Sequence, residues 1–472
     1  MVFSSIYFLL YFLPIVLLGY HFINDKYKNH WLLLASIFFY AWGAPLFIFV
    51  VLATIIVDFF LVNQIYRATQ QHKKKWLIAS LLLNLGMLSY FKYANFFVEN
   101  VNAILESIGF ATVDWTAVAL PIGISFYIFQ SITYAIDVYR GVNPPAKDLG
   151  RYMLFILLFP QLIAGPIVKY HQIANQIDAR KETSDDRLLG LYRFCIGLAK
   201  KVLIANTLAV YATQILDGPI AEYSTPTVWL GIIAYTFQIY FDFAGYSDMA
   251  IGLARIFGFH FPENFNSPYI SKSISEFWRR WHMTLGAFMK EYLYIPLGGN
   301  RVATQQRLYF NLALVFLLSG LWHGASWNYV LWGAFHGLFL ILDRVFLLRI
   351  LDKLGSVFSI VLTFFIVTVG WAIFRMEDFG QMQLVLYKMF SFDFSSTIQL
   401  SAEYWLVLLI AIGFSIFTAF NFGKNIEQAV YFQPQATIGR HFVLFGLALL
   451  LFIASLAAIT ASDFNPFIYF RF

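Results

Sequence analysis

Apolar runs of about 18 residues or more recur from one end of the chain to the other, which is the length an α-helix needs to cross the hydrocarbon core of a bilayer. Read in this way, spans fall near 5–22, 31–46, 47–64, 76–94, 117–139, 189–216, 227–254, 308–322, 327–343, 354–375, 403–420 and 442–461. Two regions do not fit simple spans. In 152–168, Pro160, Gly165 and Pro166 interrupt an apolar run. This predicts a re-entrant or broken segment, which is tolerated where it is buried in protein or lines a cavity. The other region, 255–307, is too polar to cross and too aromatic to float free. Long ordered connections of that kind are often functional.

Within that connection, residues 273–292 carry a helical period. Ile274, Phe277, Trp278, Trp281, Leu285, Phe288, Met289 and Tyr292 fall in one arc of about 120° at about 100° per residue. Glu276, Arg279, Arg280, Lys290 and Glu291 take the opposite face, with Glu276 and Arg280 spaced for an i,i+4 pair. His282 sits at the edge of the apolar face. The pattern reads as an amphipathic interfacial helix, or as one that dips into the bundle and places His282 on a substrate path. The Gly298-Gly299 turn that follows, in Tyr294-Ile-Pro-Leu-Gly-Gly-Asn-Arg301, is expected to leave backbone amides open to an anionic group.

Composition agrees with a membrane protein. Hydrophobic residues make up 60% and charged residues 12% of the 472, against about 25% charged in a typical soluble protein. The expected fold is therefore an all-α polytopic bundle of about 11–12 transmembrane helices, with re-entrant and amphipathic pieces, in a single integral-membrane domain over residues 1–472. The N-terminus runs straight into apolar sequence without a charged leader, so the first helix is expected to stay. The single cysteine, Cys195, excludes an internal disulfide framework and a cysteine-based metal site.

The net charge of +6 reads as an excess on cytoplasmic loops and not as a nucleic-acid surface. Lys26/Lys28, Arg67 with Lys73–Lys75, Arg140/Lys147/Arg151, Arg301/Arg307, Arg344/Arg349/Lys353 and Lys424/Arg440 all fall on one side of the bundle, which places that side in the cytoplasm. Both termini are then expected on the far side.

The candidate chemistry centres on His323, in Ser319-Gly-Leu-Trp-His-Gly-Ala-Ser-Trp-Asn-Tyr329 between two apolar runs. An ionisable residue at membrane depth is costly and marks a functional site by default. Imidazole suits a general base, and Gly320 and Gly324 let backbone or ligand approach. The plain alternative is a helix-packing histidine with a hydrogen-bond partner. His336, thirteen residues on, would lie about 20 Å away along a continuous helix, so it is expected to be structural. Asp58, Asp137, Asp242 and Asp248 also lie at depth, and each is expected to form an ion pair or hydrogen bond. No spacing of His, Cys or carboxylates suggests a metal site.

These motifs, taken together, resemble the membrane-bound O-acyltransferases, and within them the bacterial alginate O-acetylase type. The resemblance rests on Met1-Val-Phe-Ser-Ser5, Pro121-Ile-Gly-Ile-Ser-Phe-Tyr127, Gln161-Leu-Ile-Ala-Gly-Pro166, Tyr240-Phe-Asp-Phe-Ala-Gly-Tyr-Ser-Asp-Met249, Glu276-Phe-Trp-Arg-Arg-Trp-His282, the Tyr294–Arg301 segment and Leu321-Trp-His-Gly-Ala-Ser-Trp327. It implies a helical bundle enclosing a tunnel in a bacterial inner membrane. His323 is then the catalytic histidine and His282 the second signature histidine. It further implies acetyl-CoA as the donor, no metal, periplasmic partner proteins, and a polysaccharide acceptor on the far side. Arg279, Arg280, Trp281 and Arg301 are the candidates to hold the donor. Peptidoglycan O-acetylation and teichoic-acid D-alanylation are rivals within the same chemistry, and a transporter or flippase is the rival without chemistry.

Overall fold

The computed structural model describes residues 1–395, 398–433, 437–462, 464–466 and 468. These residues form α-, 3₁₀- and π-helices and no strand. Every predicted span falls on a helical stretch. Among the described residues, five helices, Phe47–Arg67, Gln70–Ser107, Ser356–Arg375, Ala402–Ala419 and Ile438–Ala461, are long and apolar enough to cross a membrane. The predicted span at 117–139 begins late, at Ile124, because Pro121 and the left-handed Gly123 precede it and hold the chain out of helix. The described residues divide into two compact units, essentially 1–181 with 259–261, and 182–258 with the chain from Pro262 onward.

The first unit contains the broken segment expected at 152–168. Helix Leu149–Leu157 stops at Leu158, a single turn Phe159–Leu162 follows, and the chain from there to Tyr170 is buried without regular structure. Two of the acids expected at depth lie in this unit, and both are held. Asp58 accepts from Ser80 Oγ (2.5 Å), Asn84 Nδ2 (2.9 Å) and Tyr152 Oη (2.5 Å). Asp137 pairs with His171 Nδ1 at 2.9 Å.

The second unit is organised around the 32-residue helix Thr225–Ile256, almost all of it buried. Helix Ser184–Ala199 runs antiparallel to it with four glycines at the seam. A Cβ on Gly197 would lie 2.6 Å from the Gly245 carbonyl oxygen, and one on Gly252 would lie 2.6 Å from the Gly190 carbonyl oxygen. Small residues allow this backbone-to-backbone approach, and their spacing of seven repeats the contact two turns on. Three residues beyond each glycine of the first helix stand Arg193 and Lys200, which reach Asp248 across the seam at 2.9 and 2.7 Å. Lys201 meets Asp242 at 2.7 Å, with both side chains nearly inaccessible.

Candidate active site: two histidines on one indole

His323 is the last residue of helix Gln305–His323. The chain then turns through Gly324, Ala325 and Ser326 and re-enters helix at Trp327. The resulting hairpin is tight, and its glycines explain why. A Cβ on Gly320 would lie 2.2 Å from the Tyr329 carbonyl oxygen, and one on Gly324 would meet the Tyr329 ring. The approach that Gly320 and Gly324 permit is therefore that of the returning helix. His323 is buried, 3% exposed. Its ring lies 4.9 Å from Trp322, 5.0 Å from Trp332 and 5.4 Å from Phe374, edge to face in each case.

The stretch 273–292 is not the single helix that its periodicity predicts. Helix Ile274–Arg280 ends at Trp281, His282 adopts a left-handed backbone (φ 44°), and a second helix starts at Met283. A non-glycine residue in that conformation costs of the order of 1–3 kcal/mol and persists where its surroundings over-determine it. Here they do. The Met283 amide donates to the Asn264 carbonyl oxygen at 2.9 Å. The side chain of Asn264 then holds both His282 Nδ1 (3.0 Å) and Thr284 Oγ1 (2.9 Å). Most of the predicted apolar face is buried nonetheless, and His282 is only 1% exposed. Burial in apolar surroundings pushes its imidazole down to about 3.

The two motif histidines converge on one indole. Trp322 lies 6.0 Å from the His282 ring and 4.9 Å from the His323 ring. His336 is nearer than a continuous helix would put it. The chain breaks at 324–326, and His336 and His323 both pack on Trp332, at 5.1 and 5.0 Å. The imidazoles of His323 and His336 are thus no more than about 10 Å apart, not 20 Å. His336 is enclosed by Trp278, Trp332 and Phe335, the contacts of a packed side chain.

The donor-binding candidates stand in different surroundings. Trp281 is core, packed on Trp371 (4.8 Å), Phe265 (5.1 Å) and Phe277 (5.5 Å). Arg280 is tied to Glu276 at 2.8 Å, the predicted i,i+4 pair, and to Asn266. Arg279 and Arg301 are exposed. The expectation of open amides in the glycine turn fails. Gly298, Gly299 and Arg301 spend theirs on Ile295, Tyr294 and Gly298 carbonyls at 2.9–3.0 Å.

Sequence reasoning missed a cavity of about 300 Å³ walled by Arg193, Lys200, Tyr240, Asp248, Asn264 and Tyr431. Its cations are already neutralised, Arg193 by Asp248 and Glu263 and Lys200 by Asp248, and both lie against the Tyr431 ring. Asn264 is both wall of this cavity and holder of His282. The signal was present in the sequence. Arg193 and Lys200 stand inside an apolar run, where a cation needs a partner, at a spacing of seven that puts them on one helix face. Among the described residues, no group of three or more His, Cys, Asp or Glu is placed to hold a metal.

The profile of the membrane-bound O-acyltransferase family, MBOAT, matches residues 147–351, which include both histidine motifs. A probable alginate O-acetylase of Pseudomonas putida is 42% identical, with all of both chains covered. A peptidoglycan O-acetyltransferase of Helicobacter pylori is 37% identical over 85% of this chain and 82% of its own. A teichoic acid D-alanyltransferase of Bacillus subtilis is 28% identical over 64% of this chain and 84% of its own.

Proposed function

The chain belongs to the membrane-bound O-acyltransferase family and is a multi-pass membrane enzyme, and from that premise we propose that it takes acetyl from cytoplasmic acetyl-CoA and passes it across the bacterial inner membrane for O-acetylation of an exported, alginate-like polysaccharide. The observation that carries this reading is the convergence of His282 and His323, distant in sequence, on Trp322 in one buried centre. The chemistry asks for little more. As general base, His323 takes the proton of an acceptor hydroxyl as its oxygen attacks the thioester carbonyl, the C–S bond breaks, and the thiolate leaves as a thiol. As transient carrier, the imidazole nitrogen attacks the carbonyl first, the C–S bond breaks and the thiol leaves with the ring's proton; the acceptor oxygen then attacks the acyl-imidazole, the C–N bond breaks, and the freed imidazole takes the hydroxyl proton. His282 positions the thioester or assists proton transfer.

The donor approaches from the side of the basic loops. Arg279 and Arg301, exposed, are the cations that face its phosphates in this reading, while Arg280, next to Arg279 in the chain, is tied to Glu276. In this reading the cavity walled by Asn264 is the way in for the thioester end, since Asn264 also bonds His282. Residues 1–472 act as a single acyltransferase domain, and periplasmic proteins complete transfer to the glycan.

Replacement of His323 by Ala is expected to abolish polymer acetylation at normal protein levels. Unchanged acetyl content at normal levels overturns the assignment. Mass spectrometry of surface polymers from a deletion strain distinguishes an alginate-like glycan from peptidoglycan and teichoic acid. In proteoliposomes, labelled acetyl-CoA is expected to release free CoA in a His323-dependent way.

A further inference from the structure

We propose that Asn264 is a positioning residue that sets the tautomer of His282, keeping the proton on Nδ1 so that Nε2 is the nitrogen able to accept another. The inference rests on the reading above for what His282 does. The tautomer itself rests on geometry alone. Asn264 is 1% exposed and its amide makes contacts on both sides. Its Nδ2 donates to Ser247 Oγ at 3.0 Å. Its Oδ1 receives Thr284 Oγ1 at 2.9 Å and faces the Thr284 backbone N–H at 3.4 Å. A backbone N–H is a donor in every protonation state, so the atom it faces has to be the amide oxygen and not the amide nitrogen. His282 Nδ1 lies 3.0 Å from that same oxygen. An oxygen with lone pairs only requires a proton on the nitrogen, and a neutral imidazole has one such proton.

The consequence for acyl transfer follows. Where His282 is the group that takes the acceptor hydroxyl's proton, Nε2 receives it and the imidazolium keeps Nδ1–H on the Asn264 oxygen. The same proton leaves from Nε2 to the departing thiolate, and the ring returns to its starting form. Asn264 also bonds the Met283 amide through its carbonyl, so the residue that fixes the ring's proton also holds the strained backbone at 282–283. A partner that orients a functional histidine is worth roughly 10–100-fold in activity where such partners have been removed in metal sites.

The test uses the full chain in lipid nanodiscs, with ¹⁵N-labelled histidine and the His282 signals identified by their loss in His282→Gln. The native protein is expected to show protonated Nδ1. Asn264→Ala is expected to lose that preference and about 10–100-fold of acetyl transfer, chiefly in kcat. Asn264→Asp keeps an oxygen that accepts from Nδ1–H, now a carboxylate. It is expected to recover most of the rate, and to move the acid limb of the pH–rate profile upward, because the carboxylate favours the imidazolium. If Asn264→Ala does not fold, the Asp variant and the native spectrum still decide. A proton found on Nε2 in the native protein overturns the inference, as does an Asp variant whose pH profile is that of the native enzyme. Full activity of His282→Gln overturns instead the participation of His282, and leaves the tautomer assignment standing.

Discussion

The glycine seam between Ser184–Ala199 and Thr225–Ile256 can be tested with one substitution made at two places. Gly→Ala in a helix interior gains about 0.5–1 kcal/mol from backbone entropy alone. At Gly446, in helix Ile438–Ala461, the added Cβ meets nothing within 4 Å. At Gly197 it would lie 2.6 Å from the Gly245 carbonyl oxygen, 2.7 Å from the Met249 amide nitrogen and 2.9 Å from Asp248 Cβ. Two of these are backbone atoms and the third is a Cβ, so none can rotate away, and the helices have to move apart. Overpacking of this kind costs about 1–3 kcal/mol. The propensity gain is common to both variants and cancels between them. Gly197→Ala is therefore expected to be less stable than Gly446→Ala by about 1–3 kcal/mol. Thermal denaturation of both in the same detergent, followed by size exclusion, reads the difference. Gly245→Ala should behave like Gly197→Ala, since its Cβ meets the Gly197 carbonyl oxygen at 2.7 Å. The double variant should cost less than the two added, because the first separation makes room for the second. Equal stability of Gly197→Ala and Gly446→Ala refutes the close-packed seam.

Two further outcomes follow from the charged groups. Asp248→Asn strips Lys200 of its carboxylate and leaves Arg193 only Glu263, so it is expected to cost about 3 kcal/mol, the low end for a broken buried pair because the Lys200 side chain is partly exposed. Adding Lys200→Met should recover part of the loss, and a double variant no more stable than Asp248→Asn refutes the pairing. His282 is held neutral, with its imidazole depressed from an ordinary 6.5 to about 3. The unfolded chain therefore binds the proton first, and the contribution present above about pH 6.5 is lost as pH falls toward 3. Melting temperature should decline over that window less steeply in His282→Gln than in the native protein, and parallel curves refute it.

The helices were legible because hydrophobic length is a property of contiguous residues. Each span could be read from its own run of side chains, and the break at 152–168 from Pro160 and Gly165 within it. The partners of Asp248 were legible only in kind. A carboxylate at depth demands a cation, but Arg193 stands 55 residues away and is chosen by the seam that Gly190 and Gly197 create. The kink at His282 was hidden for a different reason. Its neighbours keep a regular apolar period through 281–285, and period reports which residues leave water, not whether the backbone between them stays helical.

The same distinction explains why the histidine motifs stood out while their surroundings did not. His323 and His282 are conspicuous because an ionisable side chain among apolar ones is expensive wherever it is found. Asn264 carries no such cost in a polar connection, and nothing in 262–268 sets it apart until the fold returns Thr284 and His282 to its amide. A side chain that acts through another is chosen by geometry, so the sequence of its own segment holds little trace of the choice. Trp322 belongs to the same class. As one tryptophan of twelve it looks like core, and only the hairpin at 324–326 together with the kink at 282 makes it the ring on which both histidines rest.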